Sequence, residues 1–257
     1  MENPDKTAFT VHAVETSLEV INAIQELEEP GITEVASYLD LPKSTVFNHL
    51  KTLEQNQYLV KTAPDGYRLG LRFLDHGIQA RFNLDLFEAS SPAMEQLAEE
   101  TELAVWLGVE EYGEVICIRK ELGERAVPTR GKIGRRLNMH SSSLGKAILA
   151  HLPSDRIEEI VQTFGLPPRT DQTVTDRDEL FKELEQIADR GFALNDSEST
   201  EGLRAVSSPI FDDEGICGSI CVAGTRGHMK GEYFETELPA RVKDAANEIE
   251  LNLVYEP

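Results

Sequence analysis

"LPKSTVFNHLKTLEQNQYLV" runs from Leu41 to Val60, and its reading decides the fold of the first part of the chain. Pro42 suits a first helical position, because its φ is already fixed and it has no N–H to satisfy. From Lys43 onward, Val46, Leu50 and Leu53 recur at steps of four and three, so a helix would bury them on one side. The opposite side carries Lys43, Ser44, Thr45, Asn48, His49, Lys51 and Thr52. Ser44 with Asn48, and Thr45 with His49, are four apart and share stripes. Small hydroxyls near a helix N-terminus suit phosphate oxygens, since free N–H groups and the helix dipole both favour an anion. Asn48 can pair bidentately with adenine, and His49 or Lys51 can reach a base or a phosphate. This is the pattern of a helix that enters a DNA groove.

The flanks complete a motif. Upstream, Val11, Val14, Leu18, Ile21, Ile24 and Leu27 fall at helical spacing and predict an amphipathic helix that "EEPG" ends. Thr33 is placed to cap a short second helix, "EVASYLD". Downstream, "YLVKT", "APDG" and "YRLG" read as strand, turn and strand, with Lys61 and Arg68 able to straddle a DNA backbone. Helix, helix, turn, helix, hairpin is the winged helix-turn-helix order, expected over residues 9–71. The polar stripe could also be an ordinary solvated face on a domain used for protein contacts.

Charge sharpens the reading. The 257-residue chain has 46 Asp plus Glu against 25 Lys plus Arg, a formal net charge of -21, and DNA is a polyanion. Between Asp40 and Arg72, however, five bases (Lys43, Lys51, Lys61, Arg68, Arg72) face three acids (Asp40, Glu54, Asp65), a net +2. Acid is kept off the face that would meet DNA. Elsewhere it is spread along the chain rather than gathered in a tail, as on the solvated surface of a salt-loving protein, an ordinary acidic protein being the alternative. No run of about 18 apolar residues predicts a membrane span. The polar, acidic N-terminus lacks the features of a signal peptide, so a cytoplasmic location is expected. Cys117, Cys217 and Cys221 are too few and too odd in number for a secreted disulfide framework.

Residues 72–257 read as a linker helix followed by an α+β domain. "ELAVWLGV" and "VICIRK" predict a hairpin, "HSSSLGKAILAHL" a serine-capped helix, and "SDRIEEIVQTFG" and "TDRDELFKELEQIADRG" amphipathic helices with Ser or Thr caps and Gly stops. "FALND", "RAVSSPIF" and "GICGSICVAG" read as strands, before a closing helix. "HSSSLGKA" carries no G-x-S-x-G elbow, so its serines read as a cap that can also touch a ligand rather than as a nucleophile. Asn195, Asp196, Glu198 and Glu201 lack the His or Cys partners of a zinc site and read as a solvated loop over a pocket. Cys217 and Cys221, four apart on a strand, should face one side and sit too far apart to share a metal. Trp106 and Phe211 read as core, with a pocket role open for Trp106. No metal and no cofactor are expected.

"LPKSTVFNHLKTLEQNQYLV" with "YRLGLRFLDHG", and then "MHSSSLGKAILAHLP", "GFALNDSESTEGLRAVSSPIFDDEG" and "SICVAG", resemble the IclR family of transcriptional regulators over nearly the whole chain. That family often has Arg where Asn48 stands. The resemblance implies a non-enzymatic DNA-binding regulator of metabolic genes, with a GAF-like domain that binds a small effector, a carboxylate or a sugar-derived metabolite. It implies a homodimer, with dimers joining as a tetramer on a palindromic operator. It places Ser143, Leu144, Asn195, Ala205, Cys221 and Ala223 along the effector pocket. Relatives can carry Asp at the position of Asn195 and Cys at that of Ala205, so the ligand does not carry over. A metabolic enzyme with an appended winged domain, and a protein adaptor, are the competing readings.

Overall fold

The computed structural model describes residues 10–127 and 131–255. The chain divides into two compact units, 1–81 and 82–257. In the first unit, α1 (His12–Leu27), α2 (Ile32–Tyr38) and α3 (Lys43–Gln55) precede a hairpin of β1 (Leu59–Thr62) and β2 (Gly66–Leu69). Helix α4 (Arg72–Phe82) follows. The core gathers Val20 and Ile24 of α1, Val35 of α2, Val46, Leu50 and Leu53 of α3, and Leu59 and Tyr67 of the hairpin. Tyr58 docks the start of α4: its ring meets Phe73 edge-on at 5.1 Å, Arg72 lies over it at 4.9 Å, and its hydroxyl is 2.9 Å from His76 Nε2.

Three expectations in this unit need correction. The apolar stripe of α1 is rotated: Thr16, Val20, Ala23 and Ile24 are buried, whereas Val11, Val14 and Leu18 face solvent. The helix carries two overlapping apolar stripes, and packing against α3 and the hairpin selects the one in the middle of the helix. Thr33 does not cap α2. Gly31 occupies the cap, and Glu34 accepts the Gly31 N–H at 2.8 Å, which leaves Thr33 exposed inside the first turn. Pro42 stands at the cap of α3, one residue before the helix begins.

The second unit is built on one antiparallel sheet. Its strands are β3 (Ala104–Glu111), β4 (Glu114–Leu122), β5 (Arg136–Asn138), β6 (Ala193–Asp196), β7 (Leu203–Asp212) and β8 (Gly215–Thr225), in spatial order β5-β4-β3-β8-β7-β6. Helices α5 (Asp85–Ala89), α6 (Ser91–Thr101) and α10 (Leu238–Tyr255, entered through a π-helical turn at Tyr233–Glu237) cover one face, over Leu107, Ile118, Val206, Ile220 and Val222. Helices α7 (Ser143–Leu149), α8 (Ser154–Phe164) and α9 (Arg177–Arg190) cover the other, over Trp106, Cys117, Ala205 and Cys221. With both faces covered, alternate strand residues fill two cores, and the strands read as near-continuous apolar runs.

Cys217 and Cys221 do not share a face. Cys217 packs in the α10 core and Cys221 in the α7 core. The β7–β8 register shifts between Ile210↔Gly218 and Phe211↔Ile216, so Cys217 is an extra, unpaired residue that reverses the alternation. Pro153, not a Ser or Thr, sits at the cap of α8. Asp176 caps α9, accepting from Asp178 N at 2.9 Å and Glu179 N at 3.0 Å. Gly165 and Gly191 end the two helices as expected. Phe211 is not core: it is exposed beside His151. Among the described residues, no helix is long and apolar enough to cross a membrane.

Candidate functional site

Burial of Val46, Leu50 and Leu53 fixes which way α3 faces. Lys43, Ser44, Asn48, Lys51 and Thr52 are exposed as a result, and Thr45 is half-buried. His49 is turned aside: its Nδ1 lies 2.9 Å from Ser17 Oγ on α1, bracing the two helices. Thr52 donates to the Asn48 carbonyl at 2.8 Å. Lys51 pairs with Glu54 at 2.9 Å, which raises its pKa, and Lys61 pairs with Asp65 at 3.1 Å. Exposed pairs of this kind contribute little, so either lysine can exchange its carboxylate for a phosphate. Arg68 is exposed on the hairpin and donates to the Leu69 carbonyl at 3.1 Å. Sequence reasoning missed one residue here. Phe47 projects from α3 at 44 % exposure, and an aromatic between two polar stripes was the available signal.

In the second unit a cavity of about 130 Å³ opens on the α7 side of the sheet. Trp106 of β3, Asn195 of β6, Ala205 of β7, and Cys221 and Ala223 of β8 line it, together with Ser143 and Leu144 at the start of α7. The seven residues singled out in the sequence are thus brought together, along with Cys117, Arg135, Leu137, Ser199, Thr200 and Leu203. The sheet delivers them because Trp106 pairs with Cys221 across β3–β8, and Ala205 pairs with both Ala223 and Asn195. Residue 145 is glycine where α7 packs on the chain that leads into it: a Cβ there would strike the Met139 backbone.

Most polar groups of the cavity are already engaged. Asn195 Nδ2 donates to the Ser141 carbonyl at 2.6 Å, and its Oδ1 accepts from Glu198 N at 3.1 Å. Ser143 Oγ accepts from Ser207 Oγ at 2.8 Å and lies 3.6 Å from Cys221 Sγ. Ser142 Oγ caps α7, accepting from Gly145 N at 3.1 Å, and donates to the Asn138 carbonyl at 2.8 Å. Among the described residues, the side chains of Arg135, Ser199 and Thr200 have no hydrogen-bond partner or ion pair. Burial pushes the thiols up, Cys117 to about 12 and Cys221 in the same direction. Both stay protonated and act as soft apolar wall rather than as nucleophiles. Among the described residues no cluster of three His, Cys, Asp or Glu could hold a metal ion.

Behind the wall lies a group that sequence reasoning did not find. Lys146, on α7, is 0 % exposed. Its ammonium donates to Glu183 Oε1 at 2.6 Å and to both Glu198 oxygens at 2.8 and 2.7 Å, using all three protons. Glu198 is therefore not part of a solvated loop. It is buried, and desolvation raises its pKa against the opposing pull of Lys146. Thr170 and Thr173 hydroxyls donate to the Ser197 and Glu198 carbonyls, each at 2.7 Å. The loop that supplies Ser199 and Thr200 to the cavity is pinned from behind. The signal was a lone lysine inside the apolar run "LGKAIL", which burial obliges to find a carboxylate.

Residues 13–63 match the family model of the IclR helix-turn-helix domain, and residues 79–251 match that of the bacterial transcriptional regulator IclR C-terminal domain. The chain belongs to the IclR family of transcriptional regulators. It is 30% identical over 247 residues to the "Probable HTH-type transcriptional regulator ArcR" of Halobacterium salinarum, covering 95% of this chain and 94% of that one. It is also 30% identical over 261 residues to the HTH-type transcriptional regulator KipR of Bacillus subtilis, covering 99% and 100%. Its fold matches that of an IclR homologue from Microbacterium hydrocarbonoxydans complexed with 4-hydroxybenzoate, at a TM-score of 0.83 and 20% identity over 95% of this chain and 100% of that one. These IclR-family relatives are transcriptional regulators, so the cavity belongs to a regulator and not to an enzyme with an appended DNA-binding domain.

Proposed function

We propose that this IclR-family regulator reads a palindromic operator through α3 and the hairpin, and that a small carboxylate with a compact apolar body, held in the cavity of the second unit, sets its affinity for DNA. The observation that carries the effector reading is the cavity itself. Its walls are Trp106, Leu144, Ala205, Cys221, Ala223 and neighbouring aliphatic groups, while Asn195 and Ser143 spend their hydrogen bonds inside the protein. A sugar needs a free polar partner for nearly every hydroxyl, and among the described side chains that line the cavity only Arg135, Ser199 and Thr200 are free. Arg135 at the rim is exposed and suits one carboxylate. A volume of about 130 Å³ is close to the ~150 Å³ apolar cavity that takes benzene. 4-Hydroxybenzoate, the ligand of the structural neighbour, has this chemistry and serves as the first probe.

On the DNA side, Lys43, Ser44, Thr45, Asn48, Lys51 and Thr52 form the reading face. Lys61 and Arg68 contact the flanking backbone, while His49 and Thr33 act at its edges. Helix α4 supports a homodimer as the reading unit, with a dimer of dimers as the larger assembly. It buries none of its own residues, and Leu71, Leu74 and Ile78 are exposed along it and just before it. Two-fold symmetry then matches a palindrome. The protein acts in the cytoplasm, and its acidic surface fits a saline interior. The test is a mobility-shift assay on the gene's own upstream region, with 4-hydroxybenzoate and other small carboxylates added. A shift that one of them alters supports the reading; no shift at any salt concentration overturns it.

A further inference from the structure

Phe47 is 44 % exposed on α3 and takes no part in the core that its own helix builds through Val46, Leu50 and Leu53. An aromatic ring left in water gains nothing until something apolar covers it. Its surroundings narrow what that can be. Lys43 and Lys51, the latter paired with Glu54, lie one turn to either side on the same stripe, and Ser44 and Asn48 lie beside it, all four exposed. An apolar ring framed by cations and small hydrogen-bonding groups is complementary to a surface with anionic rims and an apolar feature on its floor. The major groove of DNA is such a surface, and the C5-methyl of thymine is the apolar group among its base edges.

We propose that Phe47 reads a thymine methyl in each half-site of the operator. This rests on α3 being the DNA-reading helix, as above. Asn48 follows Phe47 directly, and base pairs rise about 3.4 Å, so the thymine lies within about two base pairs of an adenine held by Asn48.

The test uses the full chain and a duplex that it selects from a random pool. Each thymine is replaced in turn by deoxyuridine, which lacks only the C5-methyl. Binding of the native protein should weaken about fourfold, the worth of one buried methyl, at one thymine in each half-site. Phe47→Ala should bind the thymine and uracil duplexes alike there, and Phe47→Leu should keep most of the difference. Circular dichroism should match the native protein for both variants, since the ring lies outside the core. The proposal is overturned if the native protein is indifferent to every uracil, or if Phe47→Ala keeps the native penalties. It is also overturned if Phe47→Ala lowers the sedimentation mass while the uracil scan is unchanged, which would mark the ring as a protein contact. A pool that yields no preferred duplex defeats the operator reading itself, and is thereby distinguished from failure of the thymine contact alone.

Discussion

Asn48 and Lys51 stand on neighbouring turns of α3, yet their loss should be felt differently. Asn48→Ala removes the base-edge contact proposed for it, so binding to the preferred duplex should weaken by about 1–3 kcal/mol while binding to unrelated duplexes hardly changes. Lys51→Ala removes the phosphate contact proposed for it, so binding should weaken on all sequences and the slope of log affinity against log salt should fall by about one. Fluorescence anisotropy on matched and scrambled duplexes, repeated over a salt series, separates the two. A second residue-scale prediction concerns His140, which is buried and donates from Nε2 to the Pro167 carbonyl at 3.2 Å. Burial lowers its pKa, with Lys146 and Arg169 pushing the same way and the Pro167 carbonyl opposing. The folded protein therefore binds fewer protons at this ring than the unfolded chain does below about pH 6.5. Stability from this group is present at neutral pH and is lost as pH falls through that range, by at most about 1.4 kcal/mol per pH unit. Urea unfolding at pH 7 and pH 5.5 should show a smaller drop for His140→Gln than for the native chain; equal drops would remove His140 from the account.

Elements were legible in the sequence where local pattern alone decides them. Helix α3 could be read because Val46, Leu50 and Leu53 form a single stripe against a polar one that only Phe47 interrupts. Helix α1 could be placed but not oriented, because it holds two apolar stripes and only the packing of the other elements chooses between them. The bulge at Cys217 leaves no mark in a strand of small and β-branched residues, so counting by twos put its thiol on the wrong face. The Lys146–Glu183–Glu198 group joins α7, α9 and the loop after β6 over sequence separations of 37 and 52 residues, which no window of local pattern can connect. That group carries the element-scale prediction. Lys146→Met strands Glu198 in a buried site and should cost about 3–5 kcal/mol in urea unfolding. Lys146→Met combined with Glu198→Gln removes the two buried charges, leaves only Glu183, whose side chain reaches solvent, and should recover most of the loss. A single variant as stable as the native chain would show that the loop does not depend on the ammonium.

For the whole molecule, the charge that first seemed to forbid DNA binding becomes a statement about conditions. A net charge of -21 on 257 residues repels itself in dilute buffer, and salt screens that repulsion. The melting temperature should rise as KCl is taken into the molar range; greatest stability in dilute buffer would refute a saline setting. High salt also weakens the counterion-release contribution to DNA affinity, so on the proposed reading hydrogen bonds from Ser44, Thr45 and Asn48 carry more of the recognition than the lysines. A ligand shifts DNA affinity only by its preference between two arrangements of the protein. The sole tryptophan of the chain, Trp106, lines the cavity and reports on it directly. The most direct test of the central claim is therefore one titration, with 4-hydroxybenzoate first and other small carboxylates after it, that follows Trp106 fluorescence and operator affinity together. The account predicts saturable quenching and a change in DNA affinity at the same ligand concentration, both abolished by Ala205→Leu, which fills the cavity. A carboxylate that changes DNA affinity without touching Trp106 fluorescence, or as strongly in Ala205→Leu, would contradict it.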